Sequence, residues 1–122
     1  MIEFEIDDLP KLPNRLLGSH WRARSGHART WATFTWAATA QQRPSEPWKT
    51  VRLVLERHSS MEPDFDGLCG SFKHVIDGLV KCGIIEDDKP CNILGAEYRW
   101  IKASPKRGKI RVQVFEINGE TK

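Results

Sequence analysis

Four segments alternate apolar with polar residues, as β-strands with one buried face do. The first two cover residues 2–6 and 51–56. Alternation returns in residues 97–103 and 110–117, on either side of the sequence Ser-Pro-Lys-Arg-Gly-Lys. That composition is typical of a hairpin loop, so we expect the last two strands to pair with each other.

Two other segments space their apolar residues as helices do. In residues 27–41, Trp31, Phe34 and Ala38 fall on one stripe, and we expect Trp31 and Trp36 to anchor the core or a dimer interface. Residues 68–82 have a similar stripe. The order β-α-β-α-β-β therefore predicts an α+β fold with a mixed β-sheet of about four strands and two principal helices.

The second predicted helix has signals at both ends. Asp66 is suited to cap its start, because a carboxylate there accepts exposed backbone N–H groups. Gly83 is suited to end it, since glycine adopts the left-handed conformation that often follows a helix. Helical spacing puts Asp66, Lys73 and Asp77 on one polar face. We expect Asp66 and Asp88 to approach one site from the two ends of this helix.

Acidic residues are concentrated around this helix. Residues 64–88 hold six acids against two lysines, while the remaining residues hold seventeen bases against ten acids. Crowded like charges repel unless a cation joins them, and Mg²⁺ and Mn²⁺ prefer oxygen ligands. The segment therefore favours a metal-dependent phosphodiesterase site. The open alternative is that these acids only cap a helix and lie solvated in turns.

Basic residues lie on both sides of the acidic segment, and their distribution says more about a polyanionic partner than the net charge of +3 does. Residues 14–26 are expected to form a basic loop that is mobile without DNA, and a second basic group surrounds the loop near the C-terminus. The residues expected to contact DNA are Arg15, Arg22, Arg24, Lys102, Lys106, Arg107 and Lys109.

Length and composition exclude several other classes of protein. The 122 residues suit a single domain, residues 1–122. No apolar run reaches the roughly 18–20 residues of a membrane span and no signal peptide opens the chain, so we expect no membrane partner and a cytoplasmic location. Three cysteines without CxxC spacing and four scattered histidines support neither a disulfide framework nor a zinc site.

The acidic segment resembles the RusA family of Holliday-junction resolvases, endonucleases that are common in prophages. The family motif is DxDN-L, a helix with Lys and Asp four residues apart, and then G-hydrophobic-x-x-DD. The matching residues here are Asp64, Asp66, Leu68, Lys73, Asp77, Gly83, Asp87 and Asp88. Two features depart from the motif: Gly67 stands where the family has Asn, and the interval from Asp66 to Lys73 is about one helical turn longer.

The resemblance implies a homodimeric, Mg²⁺- or Mn²⁺-dependent endodeoxyribonuclease that resolves Holliday junctions or related branched DNA in recombination and repair. It implies that Asp64, Asp66 and Asp88 are catalytic acids that bind the metal together with Asp87, and that Lys73 is the catalytic lysine. One alternative is a RusA-like DNA-binding protein with impaired catalysis, because Gly67 removes an amide that orients a carboxylate or binds the backbone. Another is a structural or interaction protein with neither metal nor DNA affinity.

Overall fold

The computed structural model describes residues 1–13 and 21–117, apart from the side chain of Trp21. The strands are β1 (Ile2–Ile6), β2 (Val51–Ser59), β3 (Ile93–Lys102) and β4 (Lys109–Glu116). The helices are α1 (Trp21–Ala38), α2 (Phe65–Ser71) and α3 (Lys73–Lys81). The α+β fold with one mixed four-stranded sheet is confirmed, and the elements follow roughly the predicted order.

The predicted hairpin between the last two strands is wrong, because β2 lies between them. The strand order is β1-β4-β2-β3, with β2 antiparallel to β4 and parallel to β3. β2 is apolar enough for the centre of the sheet, since Leu53 and Leu55 are buried on one face and Val54 on the other. The basic loop of residues 103–108 instead crosses the end of β2 to reach β4.

The parallel pair gives the sheet two distinct ends. β2 and β3 both finish at what we call the carboxyl end, marked by Ser59 and Lys102. They both begin at the opposite, amino end, marked by Val51 and Ile93. The chain leaves β2 at the carboxyl end, passes through α2 and α3, and returns to start β3 at the amino end, as a parallel crossover requires.

The second predicted helix is in fact two helices that meet at Phe72. The backbone there leaves helical geometry, with a ψ of 3°. Just before it, the Ser71 hydroxyl donates a hydrogen bond to the Leu68 carbonyl at 2.8 Å, a local bond that competes with helix continuation. α3 ends as predicted, with Gly83 in the left-handed region at a φ of 78°.

The inner face of the sheet packs against α1 and α3 around the hydrophobic core. Trp31 is buried in that core, whereas Trp36 is exposed, with the Arg43 guanidinium 3.5 Å from its ring centre. α1 begins at Trp21, so residues 21–26 are helical rather than the loop that was predicted. α1 and α3 approach closely at Gly78, where a Cβ would lie 3.1 Å from Thr35 Oγ1.

The outer face of the sheet carries a network of ion pairs between neighbouring strands. The pairs join Glu3 to Arg111, Glu5 to Lys109, and Glu56 to Arg99. These three pairs bring opposite charges together on this face. Within residues 1–13 and 21–117, no helix is both long and apolar enough to cross a membrane.

Candidate active site

Asp64 and Asp66 lie at the start of α2, just beyond the carboxyl end of β2, and both are exposed. Asp64, rather than the predicted Asp66, caps the helix, because its Oδ1 accepts the backbone N–H of Gly67 at 2.8 Å. Asp66 lies in the first helical turn. Two carboxylates therefore stand two residues apart at the end of a parallel strand pair, where ligands of open α/β sheets commonly bind.

Gly67 and the cap are geometrically linked. A Cβ on Gly67 would come within 2.5 Å of Asp64 Oδ1, so a larger residue would force that carboxylate to turn away from its capping position. The departure from the RusA motif at this position therefore affects the orientation of Asp64 directly. Asp64 Oδ1 is held by the cap, and its second oxygen can still accept a ligand.

Asp87 and Asp88 lie at the amino end of the sheet, in the turn that leads to β3. The chain is anchored there by hydrogen bonds from Glu86 N to Trp48 O at 3.0 Å and from Val51 N to Asn92 O at 2.8 Å. β2 has nine residues, and at about 3.3 Å per residue it spans roughly 26 Å between the two ends.

One chain therefore does not bring Asp64 and Asp66 together with Asp87 and Asp88. In the part of the chain that the structure describes, no group of three or more His, Cys, Asp or Glu residues could hold one metal ion. The reason is topological: the crossover from β2 to β3 carries its two loops to opposite ends of the strands. Asp87 instead lies 3.8 Å from Lys89 Nζ.

Lys73 contacts Asp77, one turn further along α3. Its Nζ lies 3.5 Å from Asp77 Oδ2, and its side chain is 70 % exposed. The expectation that Asp66, Lys73 and Asp77 share one helix face is wrong, because the break at Phe72 puts Asp66 in α2 and the other two in α3. Lys73 also lines a cavity of about 430 Å³ with Arg24 and His74, between α1 and the start of α3.

His74 forms a second link between α1 and α3. Its ring meets that of His27 edge to face, with centroids 5.0 Å apart. The backbone N–H of Lys11 donates to His27 Nε2 at 3.1 Å, while Nδ1 of each ring is buried and has no hydrogen-bond partner among the described residues. Burial lowers the pKa of both histidines, and their mutual proximity lowers the pKa of His27 further.

Four of the basic residues predicted to contact DNA surround one cleft at the carboxyl end. The cleft has a volume of about 580 Å³ and is lined by Lys102, Lys106, Arg107 and Lys109, with Asp7 and His58. Because β3 and β4 lie on opposite sides of β2, the loop between them brings all four cations to the end of that strand. A cleft of this charge suits a phosphate-rich ligand.

Of the three N-terminal arginines that were predicted to contact DNA, two lie among the described residues. Arg22 and Arg24 are exposed on the first turns of α1, so they project from a helix rather than from the predicted loop. Arg15 lies outside the described residues.

Arg57 is a residue that the sequence argument missed. It is only 7 % exposed, and its Nη1 donates to the Pro10 carbonyl at 2.6 Å. Burial lowers the pKa of its guanidinium. The alternation in β2 contains the signal, because Arg57 follows Val51, Leu53 and Leu55 at every second position on the buried face.

A search for matching protein-family models found none, and none of the curated proteins compared with this chain matches it.

Proposed function

We propose that this chain is a divalent-metal-dependent endodeoxyribonuclease that cleaves Holliday junctions or related branched DNA. The observation that carries the proposal is the presence of two exposed carboxylates, Asp64 and Asp66, at the end of the sheet that also holds the basic cleft. Phosphodiester hydrolysis needs both: cations to hold the DNA, and carboxylates to bind the metal. The proposal includes a cytoplasmic location, because that location fits action on DNA in recombination and repair.

The carboxylates fit Mg²⁺ or Mn²⁺ chemically. Mg²⁺ is usually held by one or two protein carboxylates, with waters and substrate phosphate completing its shell. Asp66 and the second oxygen of Asp64 would supply such ligands, with Asp87 and Asp88 of a second copy of the chain as further ligands. When bound, the ion would polarise the phosphate and make bound water a better nucleophile.

The protein's own cations would manage the negative charge of the reaction. Water adds to phosphorus, one P–O bond to deoxyribose breaks, and the leaving oxygen takes up a proton. Lys73, whose ammonium is exposed beside Arg24, would stabilise charge on the phosphate or on the leaving oxygen. Asp77, 3.5 Å from Lys73 Nζ, would orient that lysine.

Selectivity for branched DNA would come from shape and phosphate positions rather than from base edges. The cleft of Lys102, Lys106, Arg107 and Lys109 would hold one stretch of backbone. Arg22 and Arg24, on α1, would hold another, with Arg15 as a further contact. Lys109 also pairs with Glu5 at 3.2 Å, so its contact with DNA would compete with that ion pair.

A homodimer would resolve the separation of the acids. Asp64 and Asp66 of one copy can meet Asp87 and Asp88 of a second copy if a two-fold axis sets the carboxyl end of one sheet beside the amino end of the other. A two-fold arrangement of this kind produces two equivalent sites. Two sites match a four-way junction, which needs two nicks on strands of like polarity.

The alternative is a RusA-like protein that binds branched DNA with impaired catalysis, and the observation favouring it is the link between Gly67 and the Asp64 cap. A nicking assay on a labelled four-way junction with Mg²⁺ or Mn²⁺ separates the two functions. Nicks that EDTA abolishes support the nuclease, whereas junction binding without nicks supports the alternative. Calorimetric titration with Mn²⁺ that detects no binding, together with no DNA affinity, would overturn both.

A further inference from the structure

Arg57 lines a cavity of about 290 Å³ at the carboxyl end of the sheet, on the inner side of β2. The N-terminal segment forms one wall with Leu9, Pro10, Lys11 and Leu12, and the chain leaving β2 forms the other. A single water takes up about 30 Å³ in the liquid, so the cavity has room for a phosphate group and several waters.

Arg57 is 7 % exposed as a residue, yet the partner of its guanidinium among the described residues is neutral. An arginine side chain has five N–H donors, and in residues 1–13 and 21–117 its one hydrogen bond is from Nη1 to Pro10 O. No carboxylate among those residues lies within 4.0 Å of its nitrogen atoms. Taking a charged group out of water is costly unless an opposite charge and hydrogen bonds compensate.

The cavity therefore has the chemistry of an anion site. Arg57 supplies a planar fork of donors that matches the oxygens of a phosphate, and the exposed ammonium of Lys11 adds a second positive charge at the rim. The serine hydroxyl at position 59 is already engaged, since it accepts from Trp100 Nε1 at 2.9 Å and donates to Met61 O. Ser60 remains as a third polar group in the lining.

The position of the cavity connects it to the candidate active site. Leu12, in one wall, lies 3.9 Å from where a Cβ of Gly67 would be, beside the Asp64 carboxylate. Met61, in the other wall, is three residues before Asp64. A phosphate in this cavity would thus be a near neighbour of the acids at the start of α2.

We propose that the Arg57 cavity is a phosphate-binding site that takes one backbone phosphate of the bound DNA strand. This proposal rests on the proposed function for the identity of the ligand, although not for the anion site itself. Free inorganic phosphate presents the same oxygens, so the test has one arm for each source.

The first arm uses inorganic phosphate without DNA, at constant ionic strength with chloride as the balancing anion. We expect phosphate to raise the melting temperature of the wild-type protein, because it binds the folded state alone. Lys11→Gln, on the exposed rim, should weaken the apparent affinity by about fivefold or more, as expected for the loss of one charged contact. Lys49→Gln, at the amino end, is the matched control and should leave it unchanged.

Arg57→Lys and Arg57→Gln test the central cation. Arg57→Lys keeps the charge without the fork and should weaken phosphate binding by about tenfold, while Arg57→Gln should abolish it. If either variant fails to fold, Lys11→Gln still decides the matter. Absence of any phosphate-dependent rise in the wild-type protein overturns the anion site.

The second arm measures junction affinity against salt concentration without divalent metal. Arg57→Gln or Lys11→Gln should reduce the slope of log affinity against log salt by about one unit relative to wild type, as loss of one phosphate contact does. An unchanged slope in a variant that has lost phosphate binding overturns the assignment to a DNA phosphate. Neither arm requires cleavage, so failure of the nuclease proposal is detected separately.

Discussion

Asp66 and Asp88 are the acids whose carboxylate charge the proposed chemistry needs most. Replacing either with Asn keeps the size of the side chain and removes a metal-ligand charge. We expect Asp66→Asn and Asp88→Asn each to lower junction cleavage by at least about a hundredfold, equivalent to several kcal/mol of lost transition-state stabilisation. Binding should stay intact or tighten, because less negative charge faces the phosphates.

A denaturing gel of labelled junction strands and a gel-shift assay measure these two properties. Glu46→Gln, in the exposed connector between α1 and β2, is the matched control and should cleave like wild type. Cleavage within about tenfold of wild type in both Asp variants would contradict the assignment of a metal-ligand role.

Asp77 is expected to act through Lys73. The two groups lie 3.5 Å apart on α3, with Lys73 exposed and Asp77 half-buried. Asp77→Asn removes the ion pair and keeps a polar group, so it should lower the cleavage rate less than Asp66→Asn does at saturating metal. Equal losses in the two variants, compared by single-turnover rates, would make Asp77 a metal ligand instead.

At the scale of single residues, the sequence predicted a backbone conformation better than hydrogen-bond partners. The Gly83 stop was predictable, because the left-handed conformation of glycine is a local property. That Asp64 rather than Asp66 caps α2 was not predictable, since both residues precede an apolar run equally well. Arg57 was not predicted, because the strand predicted over residues 51–56 ends one residue before it.

At the scale of elements, α1 changes the setting of two residues that we expect to contact DNA, from a loop to a helix. Arg22 and Arg24 are on a helix, so the spacing between their backbone positions is fixed rather than adaptable. We expect the double replacement Arg22→Ala and Arg24→Ala to weaken binding to all branches alike. The slope of log affinity against log salt should fall by about two units, one for each lost contact.

Fluorescence titration of junction and duplex DNA over a range of salt concentrations measures this slope. Lys49→Ala, in the loop before β2 at the amino end, serves as the control for loss of one positive charge. A slope that does not change in the double variant would mean that these arginines contact no phosphate.

The contact between α1 and α3 should make stability depend on pH through His27 and His74. Their pKa values in the folded protein are below the unfolded value of 6.5, chiefly because of burial. Between the folded and unfolded pKa values, the unfolded chain binds more protons, so the free energy of unfolding rises with pH. The stabilisation is complete above pH 6.5 and is lost as the pH falls, by at most about 1.4 kcal/mol per pH unit for each histidine.

Urea unfolding between pH 5 and pH 7.5 checks this trend. Five charged groups lie near the two histidines: Asp8, Lys11, Lys73, Asp77 and Lys81. Their own titration also contributes to the pH dependence of unfolding. The double variant His27→Gln and His74→Gln should lose less free energy of unfolding below pH 6.5 than wild type does. His58→Gln, on the outer face, should lose as much as wild type. A double variant with the full wild-type dependence would refute the role of this pair.

Element positions were largely predictable, and element pairing was not. Alternation in residues 2–6 and 51–56 gave β1 and the first part of β2, because that pattern depends on which side chains face the core. The hairpin prediction failed because strand pairing depends on how the whole sheet is buried, not only on the loop between two strands. β2, rather than β3, pairs with β4. Periodicity does not detect the break at Phe72, which is accompanied by a local hydrogen bond from the Ser71 hydroxyl to the Leu68 carbonyl.

At the scale of the whole molecule, the separation of the acids makes a strong prediction about assembly. Light scattering should find a dimer at micromolar concentration. If sites form between copies, a mixture of inactive Asp66→Asn and Asp88→Asn proteins should regain cleavage, because each mixed dimer then contains one site with both aspartates. That mixture should nick one strand rather than two. A mixture as inactive as its components, with subunit exchange demonstrated, would exclude sites shared between copies.

The central claim is that the acids and the basic cleft together cleave branched DNA. The most direct measurement is incubation of the wild-type protein with a mobile four-way junction labelled on each strand in turn, in Mg²⁺ or Mn²⁺, read on a denaturing gel. We expect paired nicks on two strands of like polarity, lost in EDTA and much weaker on linear duplex of the same sequence. Binding of the junction with intact strands in both metals would contradict the claim.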